Sequence, residues 1–175
     1  MTQLNMVEIL QKDFPDYGET LLVLELKKGE RDFVSKTLIL DKAFTTWTSA
    51  TDLLAITPAF HSIKKIAFVD ADDNVLGVDY AVEDGYLVYD DDRVDHAEGM
   101  YYHYPPSTWT SDIPTIPEQF HEALTYYVLK KIAVSKGLPQ ASIYNAEYEK
   151  ALKEGKKYRN TKNQSSEVRI LRPIL

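Results

Sequence analysis

The sequence predicts an α+β protein: a helical bundle of N-terminal helices plus a C-terminal helical hairpin, an inserted antiparallel β-sheet or sandwich segment, and an extended C-terminal arm. Apolar residues recur at helical spacing near both ends of the chain, and short β-rich runs with Asp/Gly turns fill the middle. The last residues show neither pattern. We expect N-terminal helices over residues 1–38, the β segment over 39–112, a helical hairpin packing with the N-terminal helices over 113–158, and the arm over 159–175.

A short first helix is predicted at the N-terminus. Thr2 is a suitable N-cap, and Leu4, Val7 and Leu10 recur on one helical face. The run Phe14–Gly18 contains a proline, an aspartate and a glycine and ends this helix.

A second helix is predicted from about Glu19 to Thr37. Four residues fall near one stripe: Leu22, Leu26, Phe33 and Thr37. Polar residues fall mostly elsewhere: Lys27, Lys28, Glu30, Arg31 and Asp32. Gly29 lies inside the helix, where glycine costs about 1 kcal/mol relative to alanine unless it permits close packing. The run Leu21–Leu24 also suits a strand, and we favour the helix.

The middle of the chain changes to a β pattern. Candidate strand residues include Phe44–Thr48, Ile63–Val69, Val75–Tyr80, Tyr86–Tyr89 and Gly99–Tyr104. Asp72–Asn74 and Glu83–Gly85 form turns between them, and Pro105 with Pro106 ends the last strand. Short strands at this spacing indicate an antiparallel sheet or a small sandwich.

The C-terminal hairpin is marked by its prolines and a glycine. Pro117 suits the first turn of a helix, Lys136–Gly137 a helix end, and Pro139 the start of a second helix. Apolar and aromatic residues then recur at helical spacing: Phe120, Leu124, Tyr127 and Val128 in the first helix, and Tyr144, Tyr148 and Leu152 in the second. The polar run Asn160–Ser166 is predicted to be a linker.

Composition excludes several classes of protein. The chain has no cysteine, so disulfides, thiolate catalysis and cysteine-ligated metals are excluded, and a cytoplasmic site of synthesis fits. No apolar run is long enough for a membrane span, and the N-terminus lacks a signal-peptide pattern. The last 26 residues carry about +6 and the remainder about −13, so a basic tail follows an acidic body.

Eleven acidic residues against one arginine lie between Asp70 and Glu98. Asp70–Asn74 resembles the start of a calcium loop, but Val75 stands where that loop needs glycine and Ala81 where it needs glutamate. We therefore predict hairpin turns and a solvated acidic face, which in an assembly would attract basic arms or repel DNA from a channel lining. Its candidate residues are Asp90, Asp91, Asp92 and Asp95.

No spacing of residues indicates a catalytic, metal or cofactor site. The four histidines are isolated from one another: His61, His96, His103 and His121. We expect no enzyme, no bound metal and no cofactor. Two functions with a defined binding site are alternatives: a small hydrolase using the Asp/His cluster, and a carbohydrate- or receptor-binding module. The latter would stack sugars on four aromatic residues: Tyr101, Tyr102, Tyr104 and Trp109.

The predicted segments follow one another in a characteristic order. A short helix is followed by a helix ending near Arg31–Thr37, and a β segment ends in Tyr102–Trp109. Ile116–Tyr127 then opens the hairpin, and a later helix carries Tyr144 and Tyr148. This layout resembles the head-to-tail connector proteins of tailed bacteriophages, which are also called adaptor or neck proteins.

The resemblance implies a structural virion protein at the head–tail junction, made in the host cytoplasm. Such proteins form a ring, usually of twelve copies, between the portal and the tail. The ring extends the DNA channel without sequence-specific DNA contacts and offers a platform to the next tail or neck protein. Their C-terminal arm typically docks on the portal. By position, the portal-binding residues here are Val168, Arg169, Ile170, Leu171, Arg172, Pro173, Ile174 and Leu175.

Overall fold

The computed structural model describes residues 1–48, 51–56, 58–107, 109 and 112–167, and the side chains of these residues apart from 42–45 and 163–167. The described residues form an α+β fold with four α-helices and antiparallel sheets, as predicted. It divides into two compact units. The helical unit comprises Met1–Ile39 and Pro105–Leu175, and the β unit comprises Leu40–Tyr104.

The N-terminal helices have the predicted starts. Helix α1 spans Gln3–Asp13, and Thr2 caps it in a capping box with Asn5. Helix α2 spans Glu19–Thr37, the predicted bounds. Leu4 was predicted on the inner face of α1 but is more than half exposed, because Met6 takes the buried position with Val7 and Leu10.

The two C-terminal helices are consecutive in sequence and pack against each other. A 3₁₀ turn, Glu118–Phe120, leads into helix α3, His121–Ser135. Gly137 has a φ of 66°. Helices often end at a residue in this left-handed conformation, which glycine adopts more easily than other residues. Helix α4 follows over Ala141–Glu167.

The prediction that the chain becomes an extended arm at residue 159 is wrong up to Glu167, because α4 continues to that residue. The polar composition of Asn160–Ser166 suggested a linker. However, neither glycine nor proline occurs between Lys156 and Arg172, so nothing in this part of the sequence breaks the helix. The side chain of Thr161 bonds to the carbonyl of Lys157, one turn earlier, as threonine does within a helix.

The core of the helical unit joins all four helices. Its fully buried side chains include Met6, Leu10, Leu22, Leu26, Phe33, Leu124, Val128 and Tyr148. Gly29 permits close packing of α2 against α3, since a Cβ there would lie 2.9 Å from Cδ1 of Tyr127. Gly155 does the same between α4 and α2, because its Cβ would lie 2.9 Å from Cζ of Phe33.

The β unit contains two antiparallel sheets. Its strands are β1 Asp41–Trp47, β2 Phe60–Val69, β3 Val75–Leu76, β4 Tyr80–Glu83, β5 Tyr86–Tyr89 and β6 His96–His103. The larger sheet has the order β1-β6-β2-β3, and β4 pairs with β5 in a hairpin. The predicted return strand Val75–Tyr80 is therefore split between β3 and β4. The core comprises Trp47, Leu53, Phe68, Leu87, Ala97 and Tyr101.

Two backbone features shape these sheets. The β4–β5 hairpin turns through Asp84 and Gly85, whose φ angles are 50° and 88°, as in the two-residue turns that match strand twist. In β6, a Cβ on Gly99 would lie 2.0 Å from the carbonyl oxygen of Lys65, at an irregularity in the β2–β6 pairing. Only glycine allows the two strands to approach this closely.

The β segment was predicted to reach residue 112, but the β unit ends at Tyr104. Residues 105–112 belong to the helical unit. Two adjacent prolines follow the last strand, and proline cannot continue a hydrogen-bonded ladder. Beyond them, Trp109 is buried with its indole N–H bonded to Glu30 of α2.

Candidate interaction surfaces

Two packing contacts fix the middle of α4 against the rest of the helical unit. Phe120, which precedes α3, packs against Tyr158 with ring centroids 5.7 Å apart. Gly155 faces Phe33 and Thr37 at the end of α2. The nine residues after Tyr158 therefore continue for about 14 Å past these contacts at 1.5 Å per residue.

This end of α4 is strongly basic. Residues 150–162 carry six Lys/Arg and one Glu, a net charge of +5. Lys153, Lys156 and Lys157 are exposed. The eight predicted portal-binding residues, Val168 to Leu175, lie outside the described residues and directly follow this helix in sequence.

The four candidate acidic residues have different surroundings. Asp90 and Asp92 are exposed. Asp91 accepts hydrogen bonds from Arg93, whose guanidinium lowers the pKa of that carboxyl to about 2. Asp95 lies 2.9 Å from Nδ1 of His96, and this contact raises the pKa of the histidine. They do not form a single cluster of free carboxylates.

The sequence that resembled a calcium loop is a hairpin turn, as we predicted. The Asp70 side chain accepts hydrogen bonds from the backbone N–H groups of Asp72 and Asn74, at 2.9 and 2.8 Å. Bonds from Asn74 lower the pKa of Asp70. The carboxylate therefore orders the turn between β2 and β3 as an acceptor for the backbone.

The proposed sugar-stacking aromatics do not share an exposed surface. Tyr101 is in the β-unit core and Trp109 is buried in the helical unit. Tyr104 lies against His61, with ring centroids 4.8 Å apart, and Tyr102 lies under the ammonium of Lys64. This arrangement gives no support to a four-aromatic platform.

Glu30 is a buried polar site that the sequence analysis missed. Its side chain is 1% exposed and accepts hydrogen bonds from Trp109 Nε1 at 2.5 Å and from the backbone N–H groups of Thr115 and Ile116. Burial raises the pKa of this carboxyl, while the three donors oppose that shift. The carboxylate fixes the segment that returns from the β unit onto α2. Glu30 follows Leu26 by four residues and precedes Phe33 by three, so it lies on the apolar stripe of α2. This helical spacing could have shown from the sequence that Glu30 is buried.

His96 and His121 contact different residues in different parts of the protein. His96 contacts Asp95 and Glu98, and its described contacts do not include Asp90, Asp91 or Asp92. The buried His121 lies within hydrogen-bond distance of two backbone carbonyl oxygens, those of Met1 and Ile116. Within the described residues, no group of three His, Asp or Glu side chains is arranged to hold a metal ion.

The face of the β4–β5 hairpin that points away from Leu87 was also missed. Tyr86 and Val88 remain 42% and 40% exposed there, and Leu54 nearby is 70% exposed. Alternation of polar and apolar residues along the strands does not reveal this surface, since both faces of the hairpin carry apolar residues.

No protein-family model matches this sequence, and no curated protein matches it either. In the described part of the chain, no helix has both the length and the apolar character needed to cross a membrane.

Proposed function

We propose that this protein is a structural subunit of a tailed-bacteriophage virion that forms a ring between the portal and the tail. The ring extends the DNA channel and provides the surface to which the next tail or neck protein attaches. The observation that carries the proposal is the helical unit with its long α4. That helix contains a basic segment, residues 150–162, and its last residue directly precedes the apolar-basic sequence Val168–Leu175.

The chemistry of this terminal segment suits docking on another protein. It contains Ile170, Leu171, Ile174 and Leu175 as apolar anchors and two arginines as partners for carboxylates. Eight residues span at most about 27 Å when extended. A partner must therefore lie close to the end of α4, and a helix is a stiffer tether than the flexible linker that the sequence suggested.

A ring compensates for the weakness of one short arm. Each arm buries only a few side chains, and association costs at least about 4 kcal/mol of translational and rotational free energy. Several arms attached to one ring engage a symmetric portal together, so binding after the first arm becomes effectively intramolecular. Multivalency therefore gives stable attachment from individually weak contacts.

The test is binding of truncated proteins to a purified portal ring. We expect deletion of Asn160–Leu175 and the smaller deletion of Val168–Leu175 both to abolish binding. The smaller deletion leaves α4 complete, so it separates the arm from the helix end. Circular dichroism must show that both truncated proteins keep the folded body. Unchanged portal binding by either truncated protein would refute the docking role.

A finer test changes the charges and keeps the length of the arm. Replacing Arg169 and Arg172 with glutamate reverses both cations, and we expect weaker portal binding. Replacing Lys12 and Lys65 with glutamate makes the same change in net charge elsewhere and should leave portal binding intact. Negative-stain images of protein mixed with portal must show a stacked ring. Images that show only free monomers would contradict the proposal.

A further inference from the structure

We propose that the outer face of the β4–β5 hairpin binds the basic end of α4 from a second copy of this chain. This inference rests on the proposed ring and identifies the contact between neighbouring subunits. The two surfaces are different patches of the molecule, so the contact is head-to-tail. Repetition of such a contact produces a ring when the rotation closes.

The hairpin face is defined by strand register. Ala81 pairs with Val88 and Glu83 with Tyr86, so these four side chains share one face, whereas Leu87 points into the core. Asp79 and Asp90 stand one residue outside the two strands, and continuing the alternation we expect their side chains on the same face.

This face is apolar at its centre and acidic at its edge. Three exposed carboxylates, Asp79, Glu83 and Asp90, surround the exposed parts of Tyr86 and Val88. No ion pair to these three carboxylates is present among the described residues. Asp90 is thus the one candidate acidic residue from the sequence that lies on this face.

Charge identifies the second surface. The β unit carries 13 Asp/Glu and four Lys/Arg, a net charge of −9, whereas the helical unit carries +2. Within the helical unit, positive charge is concentrated in residues 150–162, at +5. Lys153 and Lys157 lie one helical turn apart on α4, are exposed and define a cationic stripe, whereas Lys150 lies 3.9 Å from Glu147.

Lysine side chains suit a surface that combines aromatic rings with carboxylates. Their aliphatic stems cover apolar surface while the ammonium reaches the acidic edge. Each unit already contains the same arrangement. Lys64 pairs with Asp41 and lies 5.8 Å from the ring centroid of Tyr102 in the β unit, and Lys36 pairs with Asp32 and lies 5.8 Å from the ring centroid of Tyr148 in the helical unit. Lysines from a second copy would use Tyr86 and its carboxylates in the same way.

The decisive experiment is charge exchange between copies. One variant carries Lys153→Glu with Lys157→Glu, and the other carries Glu83→Lys with Asp90→Lys. We expect each variant alone to lose self-association by at least about tenfold, because like charges then meet. An equimolar mixture should associate again, since each reversed surface finds its complement on the other variant. Sedimentation velocity without portal measures both effects.

A matched control separates a specific contact from net charge. Asp13→Lys with Asp16→Lys makes the same change in net charge as the hairpin variant, on exposed residues of the helical unit. It should leave self-association unchanged. Failure of the wild-type chain to self-associate, or of the mixed variants to recover association, would overturn the proposal. If the α4 variant instead loses only duplex-DNA binding, the stripe is a nucleic-acid surface and the proposal is wrong.

The absence of cysteine allows a direct proximity test. Proteins with Ala81→Cys and with Lys157→Cys, when mixed under oxidising conditions, should form a disulfide-linked heterodimer. Asp13→Cys in place of Lys157→Cys serves as the control and should not crosslink. Equal crosslinking of both pairs would overturn the contact. Portal binding through the arm is measured separately, so failure here is distinguishable from failure of the proposed function.

Discussion

Replacement of the buried Glu30 should destabilise the helical unit strongly. Its carboxylate accepts hydrogen bonds from Trp109, Thr115 and Ile116. In Glu30→Ala, these donors lose their acceptor, and an unpaired buried donor costs about 1–3 kcal/mol. Water should reach some of these donors after the change, so we expect the free energy of unfolding to fall by about 4 kcal/mol rather than by the sum of three such costs. Glu30→Gln keeps the shape and one acceptor and should cost about 2 kcal/mol.

A double-mutant cycle measures the contact itself. Trp109→Phe removes the indole donor and keeps an aromatic ring, and Glu30→Ala removes both acceptor oxygens, so these two changes should couple by about 1–2 kcal/mol. Urea unfolding followed by circular dichroism at helical wavelengths reports on the helical unit. Additive effects within about 0.5 kcal/mol would refute the reasoning, because they would mean that the hydrogen bond contributes nothing.

Two further predictions concern packing and pH. Gly155→Ala should destabilise the helical unit by about 1–2 kcal/mol in urea unfolding, since overpacking against Phe33 outweighs the gain in helix propensity. Gly77→Ala in the β unit, where no atom lies within 4 Å of the added Cβ, is the control, and equal effects would contradict this account. Burial alone would raise the pKa of Glu25, but hydrogen bonds from Lys131 and Lys28 lower it below 4.5. The ionised Glu25 therefore adds to the free energy of unfolding above that pH, and this contribution is lost as the pH falls through the lowered pKa. In Lys131→Ala, the decrease in the free energy of unfolding between neutral and acidic pH should be smaller than in the wild-type protein. Urea unfolding at both pH values measures this difference.

The helices were predictable where local signals agree with the packing. Helix α2 has an apolar stripe, a glycine before it and no internal proline, and its bounds match the prediction. The close approach of Gly29 to Tyr127 was anticipated only as one of two possibilities, because the sequence does not identify the facing residue. Tertiary packing decides whether an internal glycine is a cost or a requirement.

Polar residues were the main source of error. Glu30 was assigned to the polar side of α2 by residue type, although its position belongs to the buried stripe. A charged residue is buried only when partners satisfy it, and those partners lie about 80 residues later in the chain. Residues 160–166 were assigned to a linker by composition, although no glycine or proline interrupts the helix there and α4 continues through them.

The candidate surfaces required the three-dimensional register. Sequence showed that the chain has an acidic middle and a basic end, but it did not show which carboxylates stand beside exposed aromatic side chains. Pairing of β4 with β5 places Glu83 beside Tyr86, while Asp91 is paired with Arg93 and Asp95 with His96. The choice of Asp90 and Glu83 for the subunit contact follows from this difference.

The two proposed contacts differ in chemistry, and ionic strength should separate them. The subunit contact joins exposed carboxylates to lysines, and the Debye length falls from about 10 Å at 0.1 M salt to about 3 Å at 1 M. The arm carries four large apolar side chains, whose burial is not weakened by salt. Raising the salt should therefore reduce self-association of the full chain more than portal binding by a peptide of residues 160–175. If portal binding by the peptide proves the more salt-sensitive, the arm attaches mainly through its arginines, and the division into an electrostatic ring contact and an apolar anchor is wrong.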